Sequence, residues 1–101
     1  MITLVAIAKA KPGKEKVLEE TLLALVPQTR REAGCINYDL HRSLNKPGVF
    51  IFYENWVDRA ALEKHGTMPY MVDLRAKTVD LLAEPIQIEL YEMISQQKIS
   101  E

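Results

Sequence analysis

The chain has 101 residues, 48% of them hydrophobic, which is enough for one domain with its own core and excludes a disordered chain. A formal net charge of −1, with no basic stripe and no basic amphipathic helix, argues against nucleic acid or a membrane surface as partner. The apolar run Ile2–Ala8 is too short to span a bilayer and no charged segment precedes it, and Cys35, the only cysteine, allows no internal disulfide, so the expected setting is a reducing cytoplasm.

In chain order, Ile2 to Lys9 is apolar with some alternation and reads as a strand. Pro12-Gly13 marks a turn. Leu18, Leu22, Leu25 and Val26 then recur at helical spacing with charges on the other side. This helix is expected to kink at Pro27, because proline in a helix interior costs about 3 kcal/mol, and to end at Gly34 as its C-cap. Cys35 to Arg42 reads as a second strand. Asn45-Lys46-Pro47-Gly48 reads as a hairpin loop into a third, Val49 to Trp56. Asp58 is placed to cap a short helix running to about His65. A further helix starts near Thr67, carries the stripe Met71, Leu74, Leu81 and Leu82, and stops at Glu84-Pro85. Ile86 to Ile94 is the last strand. The order βαββαβ is the ferredoxin-like plan, an α+β domain with an antiparallel sheet, over residues 1–95. Residues 96–101 form a polar tail.

The third strand is apolar on both faces, with Phe50, Phe52 and Trp56 on one and Val49, Ile51 and Tyr53 on the other. Helices can cover only one face of such a sheet, so the other is expected to meet a second copy of itself in a homodimer.

The richest stretch for chemistry is Tyr53-Glu54-Asn55-Trp56-Val57-Asp58, followed by Ala60-Ala61-Leu62-Glu63-Lys64-His65 and then Pro69-Tyr70-Met71. Its pattern Tyr53-Glu54-x-Trp56, Leu62-Glu63-x-His65, Pro69-aromatic resembles the antibiotic biosynthesis monooxygenase family, especially its quinol-monooxygenase-like members. Lys11-Pro12-Gly13-Lys14, Glu32-Ala33-Gly34-Cys35 and Tyr38-Asp39-Leu40 fit the same pattern, so that the resemblance covers roughly residues 2–94. The resemblance implies a dimeric α/β barrel in which two copies pair sheet to sheet. It does not imply one reaction, since the family hosts oxygenases, isomerases and haem degraders.

His65 is the best candidate for a general acid or base, because histidine ordinarily titrates near neutrality. Its place at a helix end suggests few core contacts, so its removal is expected to change folding little. Trp56 offers a flat wall for an aromatic substrate and an N–H donor. Glu54 shares the parity of Trp56, and a carboxylate among Phe50, Phe52 and Trp56 is costly to bury unpaired. It is therefore protonated, paired (across a dimer or to a first-helix arginine) or near the strand end. Tyr70 stands where the closest family pattern often has histidine; a phenol hydrogen-bonds but is a poorer base. Tyr38 and His41 have opposite parity and cannot share a pocket, and His41 reads as a strand-end surface residue. Asn55 points away from Trp56, toward the pairing face. Arg75, one turn past Met71, reads as solvated or as a contact for an anionic substrate.

The haem-degrading branch of the family uses a first-strand Asn and a later helical His; neither is present here, so haem is not expected. Two histidines 24 positions apart give no basis for a metal site. The resemblance thus implies a cofactor-independent monooxygenase acting on a small phenolic or quinol-type aromatic. His65 is its base, Trp56, Tyr70 and Glu54 contact the substrate, and Phe50 and Phe52 form the apolar wall. One alternative is an isomerase of a small, phosphorylated carbonyl compound, anchored by Arg75, Lys64 or Arg30. Another is a non-enzymatic dimeric binding or stress module.

Overall fold

The structure, a computed structural model, describes residues 1–95; the expected polar tail, 96–101, lies outside the described residues. Strand β1 (Ile2–Lys9) alternates as the sequence suggests, with Leu4, Ala6 and Ala8 buried on one face. The two alanines let helices approach the sheet closely. Strands β2 (Cys35–Arg42) and β3 (Val49–Trp56) have the expected limits. The sheet order is β2-β3-β1-β4 with antiparallel neighbours, and Ile2 pairs with Trp56 through to Lys9 with Val49. This is the ferredoxin-like α+β arrangement.

The first helical region differs from expectation. It is two helices, α1 (Glu15–Leu23) and α2 (Leu25–Arg30), broken at Ala24. A continuous helix would set the Pro27 ring against the carbonyl of Leu23, four residues back. Breaking at Ala24 places Pro27 third in α2, inside the first turn, where a missing N–H costs nothing. Gly34 is not the helix C-cap, since α2 ends at Arg30. It leads into β2 with φ +87°, and a Cβ there would lie 2.6 Å from Ala61 Cβ, so only glycine lets α3 pack so closely.

Helix α3 (Arg59–Gly66) starts where Asp58 accepts a hydrogen bond from the Ala61 N–H at 2.8 Å, the cap read from the sequence. Helix α4 (Pro69–Thr78) opens on proline and stops before Leu81 and Leu82. Those two leucines lie in a turn tied to the end of β1, through Leu82 pairing with Ala10 and the Lys11 N–H donating to the Leu81 carbonyl at 2.8 Å. Strand β4 (Gln87–Tyr91) is shorter than the expected Ile86–Ile94. Its ladder on β1 runs from Gln87 opposite Ile7 to Tyr91 opposite Thr3.

The helices cover one face of the sheet. Leu18, Leu22, Leu25, Leu74 and Leu81 pack there against Leu4, Ala6, Ala8, Tyr38, Phe50, Phe52 and Trp56. Burying one such leucine contributes about 1.5–3 kcal/mol. The opposite face carries Val5, Ile7, Val49, Ile51 and Tyr53. Beside them runs a polar ladder in which Thr3 Oγ1 donates to Asn55 at 2.5 Å and Asn55 Nδ2 donates to Asn37 at 2.8 Å. Among the described residues, no helix is long and apolar enough to cross a membrane.

Candidate functional site

Strand parity turns Glu54 and Trp56 toward the helices, and Trp56 is 0% exposed. His65 follows Ala61 and Leu62 at helical spacing, on the stripe of α3 that faces the sheet. It is 4% exposed, not the lightly packed helix-end residue expected. Its ring lies 4.7 Å from the Trp56 ring, tilted by 37°, and 5.5 Å from that of Tyr38, edge to face. Tyr38 in turn packs on Phe52 at 4.7 Å.

A carboxylate that sequence reasoning missed organises the polar side of this cluster. Glu32, in the turn between α2 and β2, places Oε2 2.7 Å from His65 Nδ1, and Tyr70 donates its hydroxyl to the same oxygen. Both carboxylate and imidazole are largely buried. A carboxylate can only accept, so His65 carries its proton on Nδ1 and offers Nε2 as the acceptor; this tautomer is assigned from the hydrogen bond. On the other side of the indole, Trp56 Nε1 donates to Glu54 Oε1 at 2.9 Å. The Thr29 hydroxyl is fully buried and faces the phenols of Tyr38 and Tyr70, but forms no hydrogen bond of ordinary geometry.

Burial pushes the Glu54 carboxyl up to about 7; the charge of Glu32 adds to the rise and the Trp56 N–H opposes it. This answers the sequence-level dilemma over Glu54, which is paired with the indole next to it and protonates easily. Tyr38 is raised above the ordinary phenol range by burial and by the Glu54 charge. Tyr70 is raised by burial and by its bond to Glu32. Burial and the charges of Glu32 and Glu54 raise the Cys35 thiol as well. Both phenols therefore stay protonated, Tyr70 donating to Glu32, while Glu54 is the carboxyl suited to exchange a proton.

Of the residues expected to form a site, His65, Trp56, Glu54 and Tyr70 come together, and Phe52 joins through Tyr38. Phe50 does not. It is a core residue two steps down β3, opposite Ala8 and Arg42. Arg75 donates to the Gly66 carbonyl at 2.9 Å, and Arg30 pairs with Asp39 at 2.8 Å, so neither is aimed at the cluster. Thr29, Glu32 and Tyr38 were missed. Tyr38 was legible in principle, since it shares the inward parity of Leu40; Glu32 sits in a turn, where no periodicity points inward.

A surface depression of about 290 Å³, lined by Gln28, Arg31, Glu32, Met68 and Tyr70, reaches the outer edge of the cluster. Grooves of about 410 Å³ on the open sheet face and about 620 Å³ between α4 and β4 share no residue with it. Among the described residues, no group of three or more His, Cys, Asp or Glu is placed to hold a metal ion.

The family model described as "Antibiotic biosynthesis monooxygenase" matches residues 1–77. A Bacillus subtilis protein named "Putative monooxygenase YcnE" is 32% identical over 88 residues, covering 87% of this chain and 93% of that one. The uncharacterised Synechocystis protein sll1783 is 33% identical over 90% of this chain, which spans only 62% of that protein's length. Among solved structures, PA3566 from Pseudomonas aeruginosa superposes with TM-score 0.89 at 35% identity, covering 93% of this chain and 94% of that one. Rv0793 from Mycobacterium tuberculosis superposes with TM-score 0.90 at 27% identity, covering 96% and 98%.

Two outcomes follow from the burial. Replacing His65 with Ala leaves Glu32 without its main partner and opens a hole beside Trp56. The expected loss is about 2–4 kcal/mol, read from the denaturant midpoint; a loss under about 0.5 kcal/mol would show that the site packs loosely. The second concerns pH. Glu54 binds its proton more tightly when folded, so its contribution is fully present below the ordinary value of 4.5 and is lost as pH rises through about 7. The gap corresponds to roughly 3 kcal/mol. Thermal melts of Glu54→Gln should therefore lose much of the wild-type decline between about pH 5 and about pH 8, and parallel profiles would contradict the assignment.

Proposed function

The chain belongs to the antibiotic biosynthesis monooxygenase family, and from that premise we propose that it oxidises a small phenolic or quinol-type aromatic with dioxygen, without a resident cofactor. The observation that carries this reading is His65 held by Glu32 through Nδ1 while its ring lies against the buried indole of Trp56. In this reading Nε2 takes the substrate's phenolic proton, and Glu32 orients the ring and stabilises the imidazolium that forms. The phenolate gives one electron to dioxygen. The two radicals combine to a C–O bond, the peroxide is protonated, and loss of water leaves a quinone. One oxygen atom ends in the product and one in water, and the substrate supplies all the electrons. Trp56 stacks on the ring, and protonated Glu54 is a proton source within the same dry cluster. Of the anchors the isomerase alternative would use, Arg30 and Arg75 are engaged elsewhere, which leaves it Lys64 alone.

Oxygen consumption with a panel of phenols and hydroquinones in metal-free buffer, measured against the buffer rate, tests the reaction. His65→Gln, which keeps much of the side-chain volume, should lower turnover about 10²- to 10⁴-fold. Full turnover in a folded His65→Gln protein would remove His65 from the chemistry, and no uptake with any member of the panel would sink the reading.

We propose also that two copies pair through the open sheet face. Val5, Ile7, Val49, Ile51 and Tyr53 support this, since they form a contiguous apolar patch that no helix covers. Light scattering should give twice the chain mass of 11.5 kDa at micromolar protein, whereas a stable monomer there would contradict it.

A further inference from the structure

As it stands, the His65–Trp56 cluster is shut. Trp56, Thr29 and Tyr38 are at most 1% exposed and His65 is 4% exposed, so no aromatic ring can reach Nε2 unless a side chain moves. The walls differ in how freely they can do so. Trp56 and Tyr38 are held on paired strands of the sheet and are buried in the core. Tyr70 sits in the first turn of α4, is half-buried, and forms one side of the 290 Å³ depression that opens to solvent. What ties its hydroxyl down is the hydrogen bond to Glu32.

We propose that Tyr70 is the gate of this site. Its ring swings into the depression, and a planar phenol takes the place it leaves, beside Glu32 and His65. The inference rests on the reading that a small aromatic binds beside His65. In support, a phenol, that of Tyr70, already fills the place with its hydroxyl on Glu32, the carboxylate that holds His65. Opening leaves the His65–Glu32 bond intact, so the base keeps its orientation while the way in clears.

Trp56 is the only tryptophan and is fully buried, so its fluorescence reports access directly. Tyr70→Phe keeps the ring and removes its bond to Glu32, and a hydrogen bond to a charged group holds a closed state by on the order of tenfold or more. Acrylamide should therefore quench Trp56 several-fold more steeply in Tyr70→Phe than in wild type. Tyr53→Phe, on the opposite sheet face, should change nothing. In stopped flow, quenching of wild-type Trp56 by hydroquinone should reach a rate plateau set by gate opening, and that plateau should rise in Tyr70→Phe. Equal quenching in wild type and Tyr70→Phe overturns the proposal. So does a rise in Met68→Ala without one in Tyr70→Phe, since the route would then pass elsewhere. A wild-type rate that climbs linearly until the site saturates overturns it even if the variant does not fold. Neither readout needs turnover. Absence of oxygen uptake would sink the reaction and leave the gate standing, and unchanged quenching would do the reverse.

Discussion

Glu32 brings one buried carboxylate oxygen to the meeting point of three elements, where it accepts from His65 on α3 and Tyr70 on α4 while belonging to the turn before β2. A carboxylate taken out of water costs several kcal/mol unless its oxygens are satisfied, so this residue sets where both later helices sit. Gly34, two residues on, lets α3 come close enough for the imidazole to reach. The tautomer of His65, its contact with Trp56 and the resting position of Tyr70 all depend on that oxygen.

The cluster both packs the core and gathers titratable groups in one place. Trp56 and Tyr38 seal the inner face of the sheet as large core side chains do. The same sealing raises Glu54 to about 7 and keeps the tyrosines protonated, in a closed interior around the imidazole. Such an interior suits proton transfer from a weak acid, because charge that develops there meets fixed dipoles and not mobile water. It is also closed to solvent, with Tyr70 and its bond to Glu32 at the edge that meets the surface depression.

The sheet is likewise two-sided. Its inner face spends the aromatic residues of β3 on the core, and its outer face keeps an apolar centre beside the Thr3–Asn55–Asn37 ladder. The ladder satisfies polar groups that would be costly to cover. On β4, Ile88 and Leu90 lie opposite Ala6 and Leu4 on the helix side yet remain exposed, because the helices do not extend over that edge.

The family resemblance grouped Trp56, Glu54, His65 and Tyr70, while alternation, helical spacing and turn residues were enough to place β1, β2 and β3 at their observed limits and to find the Asp58 cap. These are local signals, carried within a few residues of chain. The break at Ala24 traces to Pro27, whereas the end of α4 at Thr78 goes with the turn that ties Leu81 and Leu82 to the end of β1, a contact with another element. The burial of His65 and the role of Glu32 belong to the same class. Glu32 lies 33 residues from His65 and 38 from Tyr70, in a turn with no period of its own, and only the packing of α3 and α4 onto the sheet brings the three together. Periodicity tells which way a side chain points, whereas the partner of a buried charge is chosen by the tertiary structure, because that is where the cost of leaving it unpaired is decided.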